Sequence, residues 1–171
     1  FLGSWLSPVE YTKGYSAGRK LLEKTDSMSR HYQFESGMTL TGSNADVRIP
    51  IKPSEEAVLI SGLYNQLLKA KGLAGYADTQ TPVDLGGLVA DLIENEGKSL
   101  VVSASNDTNV QLVINAINQL LGNYGNTIIT TRTLNTKQGI DAEFESFLAE
   151  LKNKKIAGVL IVFFGMNGFA T

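Results

Sequence analysis

Cysteine is absent from these 171 residues, and histidine occurs once, as His31. The first absence excludes disulfides, thiolate nucleophiles and cysteine-ligated iron–sulfur clusters within the chain. The second excludes a histidine-rich metal site and leaves carboxylates as the remaining ligand type. No apolar run reaches the roughly 18 residues that a membrane-spanning helix requires. Charge of one sign is lacking too. Fifteen basic residues stand against 17 acidic ones, a net charge of −2, so there is no global positive field for nucleic acid. No basic segment leads into a short apolar stretch, so no signal peptide is expected. Internal repeats, low-complexity tracts and linkers are also missing. The remaining composition, 43% hydrophobic and 19% charged, is that of a folded domain. One α/β domain spanning 1–171 is the expectation.

The most informative stretch runs from Gly97 to Thr131. Ser99–Ala104 is short, Val-rich and bounded by Gly and polar residues, which predicts a buried strand. Val110, Val113, Ile114, Ile117, Leu120 and Leu121 then recur at helical spacing, and Gly122 stands where a left-handed stop belongs. Thr108 with Gln111 fits a capping box. Thr127–Thr131 reads as the next strand, completing a right-handed β-α-β unit.

Elsewhere, Ser7-Pro8-Val9-Glu10 predicts a helix start with Ser7 as the cap. Arg30–Glu35 alternates like a strand, and Asp46–Pro53 is extended because each Pro pushes its predecessor out of helical geometry. Ser54 is the expected cap of a helix with Ile60, Leu63, Tyr64, Leu67 and Leu68 inward and Gly72 as its stop. Pro82 is expected to open another, with Leu85, Leu88, Val89, Leu92 and Ile93 inward and Gly97 as its stop. Asp141 starts a last helix with the face Phe144, Phe147, Leu148 and Leu151. Gly158–Phe164 is continuously apolar, as in a strand buried on both faces of a parallel sheet. Together these give a three-layer αβα fold with a mostly parallel, Rossmann-like sheet.

Such a fold suggests a nucleotide or cofactor site, but the loop Ser103-Ala104-Ser105-Asn106-Asp107 lacks the G-x-G-x-x-G that lets backbone approach pyrophosphate. Small residues before a helix can still receive an anion through free N–H groups, and Asp107 opposes one. The same residues also make an ordinary turn and helix cap. Ligands of open α/β sheets lie at the carboxyl ends of the strands, here Glu35, Ala104 and Phe164. The candidate rim residues are therefore Ser103, Ser105, Asn106 and Asn167, with Ser105 and Asn167 expected within roughly 15 Å. His31 has no triad partner in the sequence and also reads as a partly exposed strand histidine. Asp46 and Arg48 share one side of the extended segment and are expected to pair. No G-x-S-x-G elbow is present, and Glu55-Glu56 and Glu94/Glu96 sit on solvated helix ends. No catalytic residue is assigned.

Three blocks carry a resemblance: Phe1-Leu2-Gly3-Ser4-Trp5-Leu6-Ser7-Pro8-Val9-Glu10-Tyr11, Met28–Ser36, and Thr39–Asp46 running on to Ile49-Pro50-Ile51-Lys52-Pro53. They resemble the molybdopterin-oxidoreductase-like part of the large iron–sulfur subunit of alternative complex III, a bacterial quinol-oxidising respiratory complex. Gly97–Gly125 is similar to its next α/β unit, and Gly158–Asn167 to its strand-and-loop. Two departures are the Gly168 that follows Asn167 where that family has Pro, and the missing cluster-binding cysteines, which would lie outside this chain. The resemblance implies a piece of a larger subunit that keeps a molybdopterin-enzyme fold without the molybdenum cofactor. It implies a scaffold role, iron–sulfur clusters elsewhere in the parent, and a membrane-associated complex on the periplasmic side. The implied partners are other domains and subunits of a respiratory complex, without nucleic acid or direct membrane insertion. The alternative is a genuine molybdopterin- or nucleotide-binding domain. A sheet cut from its neighbours presents unpaired backbone groups, so self-association at high concentration is also expected.

Overall fold

In a computed structural model of the chain, residues 2–21, 27–77, 80–131 and 140–160 are described. Contacts divide the chain into two compact units, Phe1–Thr131 and Arg132–Thr171. The first contains helix α1 (Pro8–Ala17), strand β1 (Tyr32–Glu35), strand β2 (Val47–Pro50), and helices α2 (Glu56–Ala70), α3 (Gly86–Glu94) and α4 (Thr108–Leu120). The second contains helix α5 (Asp141–Lys152). Mixed helix and strand with a parallel pair is an α/β arrangement; among the described residues the sheet has two strands.

β1 and β2 pair in parallel, with Tyr32 opposite Val47 and Glu35 opposite Pro50. Parallel neighbours need a crossover rather than a hairpin. Here it is residues 36–46, which include a 3-10 turn at Gly42–Asn44.

The core is built by α2, α3 and α4. Leu59, Ile60, Leu63 and Leu67 of α2 cluster with Val89 and Leu92 of α3 and with Val110, Ile114 and Ile117 of α4. Leu85 and Leu121 join from the flanking residues, and Leu67, Ile117 and Leu121 are fully buried. Fully burying one such side chain contributes about 1.5–3 kcal/mol. The helical spacing of apolar residues placed this core correctly. Both predicted glycine stops of α2 and α4 hold. Gly72 and Gly122 have φ of +69° and +67°. Leu73 N–H reaches Leu68 O, and Asn123 N–H reaches Asn118 O, each at 2.9 Å, which satisfies carbonyls at the helix ends.

Several local expectations are corrected. Ser7 makes no side-chain cap, although Pro8 does open α1. Ser54 does not cap α2; Pro53–Glu55 forms a 3-10 turn, and Glu55 Oε2 accepts the Lys52 N–H at 2.9 Å. α3 begins at Gly86, not at Pro82, because Asp84 Oδ1 takes the Gly86 N–H at 2.9 Å in a local turn. Asp107, not Thr108, caps α4 by accepting the Asn109 N–H at 2.8 Å. Thr127–Thr131 is not a strand. The N–H groups of Thr127 and Ile128 both turn back onto Asn123 O at 3.0 Å, leaving one isolated bridge between Tyr124 and Ile128.

Ser99–Ala104 also lacks a strand partner among the described residues. Its exposure nevertheless alternates residue by residue from Ser99 to Ser105, the pattern of an extended chain. A side chain takes the partner's place, as described below.

In the second unit, α5 begins at Asp141 as predicted and ends at Lys152. Phe144 and Phe147 stack with centroids 6.4 Å apart, while Phe144 and Leu148 remain exposed. Gly158–Leu160 has no regular structure, and the remainder of the predicted strand Gly158–Phe164 lies outside the described residues.

Candidate functional site

The loop into α4 holds three of the four predicted rim residues. Ser103 is half-buried; its Oγ donates to Glu56 Oε1 at 2.6 Å and accepts the Ser105 N–H at 3.0 Å. Ser105 Oγ accepts the Asp107 N–H at 3.2 Å. Gln111 reaches back along α4, and its Nε2 donates to the carbonyls of Ser103 and Ser105 at 3.1 and 2.7 Å. Thus Gln111 does bridge the helix start, but to the loop carbonyls instead of closing a box with Thr108. Asn106 is exposed at the apex. Asn167, and with it the expected approach to Ser105, lies outside the described residues.

This arrangement bears directly on anion binding. An anion at a helix N-terminus uses free N–H groups and the positive end of the dipole. Here the N–H groups of Ser105, Asp107 and Asn109 are already bonded to side-chain oxygens. Two carboxylates, Glu56 and Asp107, stand at the same loop and repel a phosphate.

A second polar cluster ties α1 to β1 and to the residue before β2. Arg19 makes a two-pronged pair with Asp46, Nη1 to Oδ2 at 2.8 Å and Nη2 to Oδ1 at 2.7 Å. Asp46 Oδ2 also accepts the His31 N–H at 2.8 Å. The Arg19 hydrogen bond is the main reason that the Asp46 carboxyl is held down at about 2; burial works against it. The Arg19 guanidinium lies 5.1 Å from the Tyr15 ring centroid, and its Nη1 donates to Ser29 O at 2.6 Å. Burial and the Asp46 charge push the Tyr15 phenol up, against the pull of Arg19.

His31 sits inside this cluster. Its Nδ1 is 3.0 Å from Tyr15 Oη, and Nε2 is 3.2 Å from Gln33 Oε1. Tyr15 donates its one proton to Asn44 O at 2.7 Å, since a carbonyl can only accept. A proton on Nδ1 would go to Tyr15 Oη and one on Nε2 to Gln33 Oε1, so the donor role of each nitrogen follows the tautomer. The imidazole is a structural link with both nitrogens engaged.

The expected pairing of Asp46 with Arg48 does not occur. Arg48 pairs with Glu35 across the sheet, and Glu35 also accepts from Thr39. Thr39 and Arg48 hold the Glu35 carboxyl below its usual range although burial opposes them. Asp46 precedes the first residue of β2, so the alternation that would align it with Arg48 has not yet begun. The alternation in β1 gave no sign of Asp91, which accepts from Tyr32 Oη and Arg30 Nη1 and joins α3 to β1.

The most buried polar residues are Asn118 and Asn123, with 2% and 0% exposure. Asn118 Oδ1 accepts the Val101 N–H at 3.1 Å and the Asn123 Nδ2 at 2.9 Å. Asn118 Nδ2 donates to Val101 O at 2.7 Å and Ile114 O at 3.0 Å. Thr127 Oγ1 donates to Ser99 O at 2.6 Å. Sequence reasoning missed these residues. The available signal was that Asn118 stands beside Ile117, four places after Ile114, on the apolar stripe.

Among the described residues, no three His, Asp or Glu side chains are grouped to hold a metal ion. No helix among them is long and apolar enough to cross a membrane. No family model matches the chain, and no curated protein matches it significantly.

Proposed function

We propose that this chain is a scaffold and interaction domain of a molybdopterin-oxidoreductase-like iron–sulfur subunit in a quinol-oxidising electron-transfer complex, with no catalysis of its own. The reading starts from the resemblance of Phe1–Tyr11, Met28–Ser36 and Thr39–Pro53 to that family. The observation that carries the scaffold role is the loop Ser103–Asp107. Ser103 Oγ, Ser105 Oγ and Asp107 Oδ1 already accept the N–H groups of Ser105, Asp107 and Asn109, and Glu56 and Asp107 flank the loop with negative charge. A phosphate or pterin pyrophosphate would have to displace those bonds and face two carboxylates.

On this proposal the parent has a three-layer, mostly parallel sheet, of which the parallel β1–β2 pair is one part. The iron–sulfur clusters sit elsewhere in the parent subunit, and the partners are its other domains and the other subunits of a membrane-associated respiratory complex on the periplasmic side. Nucleic acid and direct membrane insertion have no part in it.

The test is to purify the intact parent subunit from membranes under mild detergent. It should arrive with quinol-oxidising partners, contain iron, and release neither pterin nor guanine nucleotide into acid extract. Stoichiometric pterin would favour the genuine cofactor-binding alternative, and an iron-free parent without such partners would overturn the assignment.

A further inference from the structure

Ser99–Ser105 behaves as an extended segment with one satisfied edge and one open edge. Backbone groups of alternate residues in an extended chain point to opposite edges. The odd-numbered side is occupied. Asn118 takes both polar groups of Val101, Thr127 takes Ser99 O, and Gln111 takes the carbonyls of Ser103 and Ser105. On the even-numbered side, no described residue bonds the N–H or C=O of Leu100, Val102 or Ala104. Leu100 and Val102 are 54% and 44% exposed.

Natural sheets blunt open edges with Lys, Pro or a bulge. Ser99-Leu100-Val101-Val102-Ser103-Ala104-Ser105 contains no charge and no proline. The two ends of the segment carry opposite charges, Lys98 before it and Asp107 after it, and neither has an ion-pair partner among the described residues.

The geometry points to a second copy of this chain as the occupant of that edge, paired antiparallel about a two-fold axis at Val102. Val102 exchanges N–H and C=O bonds with Val102 of the other copy, and Leu100 does so with Ala104. Leu100 and Val102 of both copies then lie on one face and cover each other. The antiparallel register brings Lys98 of each copy beside the Asn106-Asp107 end of the other. A parallel pairing would set Lys98 against Lys98. The contact is isologous, so it closes at a dimer. It extends the proposed scaffold role by naming one surface and its partner, and its test does not depend on the redox assignment.

The 171-residue chain is examined by sedimentation from about 1 to 500 µM, with amide exchange read at both ends of that range. A monomer–dimer equilibrium is expected, with the Leu100, Val102 and Ala104 amides slowing as the dimer forms. Val102→Lys places two like charges face to face and should weaken dimerisation at least about tenfold, with an unchanged circular dichroism spectrum. Lys98→Glu, at an exposed position, should weaken it at low salt and lose that effect at high salt. A monomer throughout the range overturns the proposal. So does association that is indifferent to Val102→Lys, which would place the contact elsewhere. Slow exchange of the Leu100 and Val102 amides already at the lowest concentration would show that another segment of the same chain covers the edge, and also overturns it.

Discussion

Asn118 holds Val101 as a neighbouring strand would: its carboxamide accepts the Val101 N–H at 3.1 Å and donates to the Val101 carbonyl at 2.7 Å. One side chain thereby supplies a rung that backbone supplies in a sheet, from inside the core formed by α2, α3 and α4. The carboxamide stays in place because Asn123 and Ile114 bond its remaining oxygen and nitrogen positions. Removing it takes the partners of the Val101 N–H and of the fully buried Asn123 Nδ2, and leaves the Val101 carbonyl without its 2.7 Å donor. Asn118→Ala should lower unfolding free energy by about 2–3 kcal/mol, measured by denaturant titration. A loss below about 0.5 kcal/mol would mean that water replaces the side chain at no cost.

The Arg19–Asp46 pair predicts an acid limb of stability. The folded-state value of Asp46, about 2, lies below its ordinary 3.8. Folding therefore favours the charged form, and the contribution is present above the ordinary value. It is lost as pH falls from about 4 towards 2. Asp46→Asn should flatten the stability profile in that window and leave its shape near neutrality unchanged. Acid titrations of both proteins followed by circular dichroism check this, and parallel profiles below pH 4 would refute it.

Two glycine substitutions should have opposite signs. A Cβ on Gly42 would collide with the Glu35 carboxylate, which Thr39 and Arg48 hold in place. Gly42→Ala should cost about 1–3 kcal/mol. A Cβ on Gly14, within α1, meets nothing within 4 Å. Gly14→Ala should raise stability by up to about 1 kcal/mol, because Ala restricts the unfolded chain and favours helix. Thermal melts of the two variants decide the signs.

Nicotinamide, flavin and guanine nucleotides should not bind the chain with a dissociation constant below about 10 µM, roughly −7 kcal/mol. The reason is local: Ser103, Ser105 and Asp107 take three of the N–H groups that a phosphate would use, and Glu56 and Asp107 add negative charge. Gln111→Ala frees the carbonyls of Ser103 and Ser105 and should cost about 1 kcal/mol of stability without creating nucleotide affinity. Isothermal calorimetry on both proteins tests the pair of statements. Tight binding to either would reopen the loop as a cofactor site.

Helical periodicity determined the parts of this protein that depend on neighbours in sequence. The apolar faces of α2 and α4, the stops at Gly72 and Gly122, and the helix start at Asp141 were all legible. Each follows from side-chain spacing or from the one residue type that tolerates positive φ. The strands Tyr32–Glu35 and Val47–Pro50 were legible too, the first from alternation within Arg30–Glu35 and the second from the prolines of Asp46–Pro53, although Pro53 itself opens a 3-10 turn.

Tertiary structure decided the partners. A strand is defined by what lies beside it, and Ser99–Ala104 has the composition of a strand while its inner edge is filled by Asn118. Capping roles were also settled by competition in three dimensions. Asp107 outcompetes Thr108 at α4 because its carboxylate reaches the Asn109 N–H, and Gln111 is drawn to the loop carbonyls. Asp46 and Arg48 are two residues apart, yet each pairs with a residue distant in sequence. Charge pairing depends on distances of a few ångströms across the fold, and those are fixed by the crossover between β1 and β2 and the packing of α1, not by the spacing of charges along the chain.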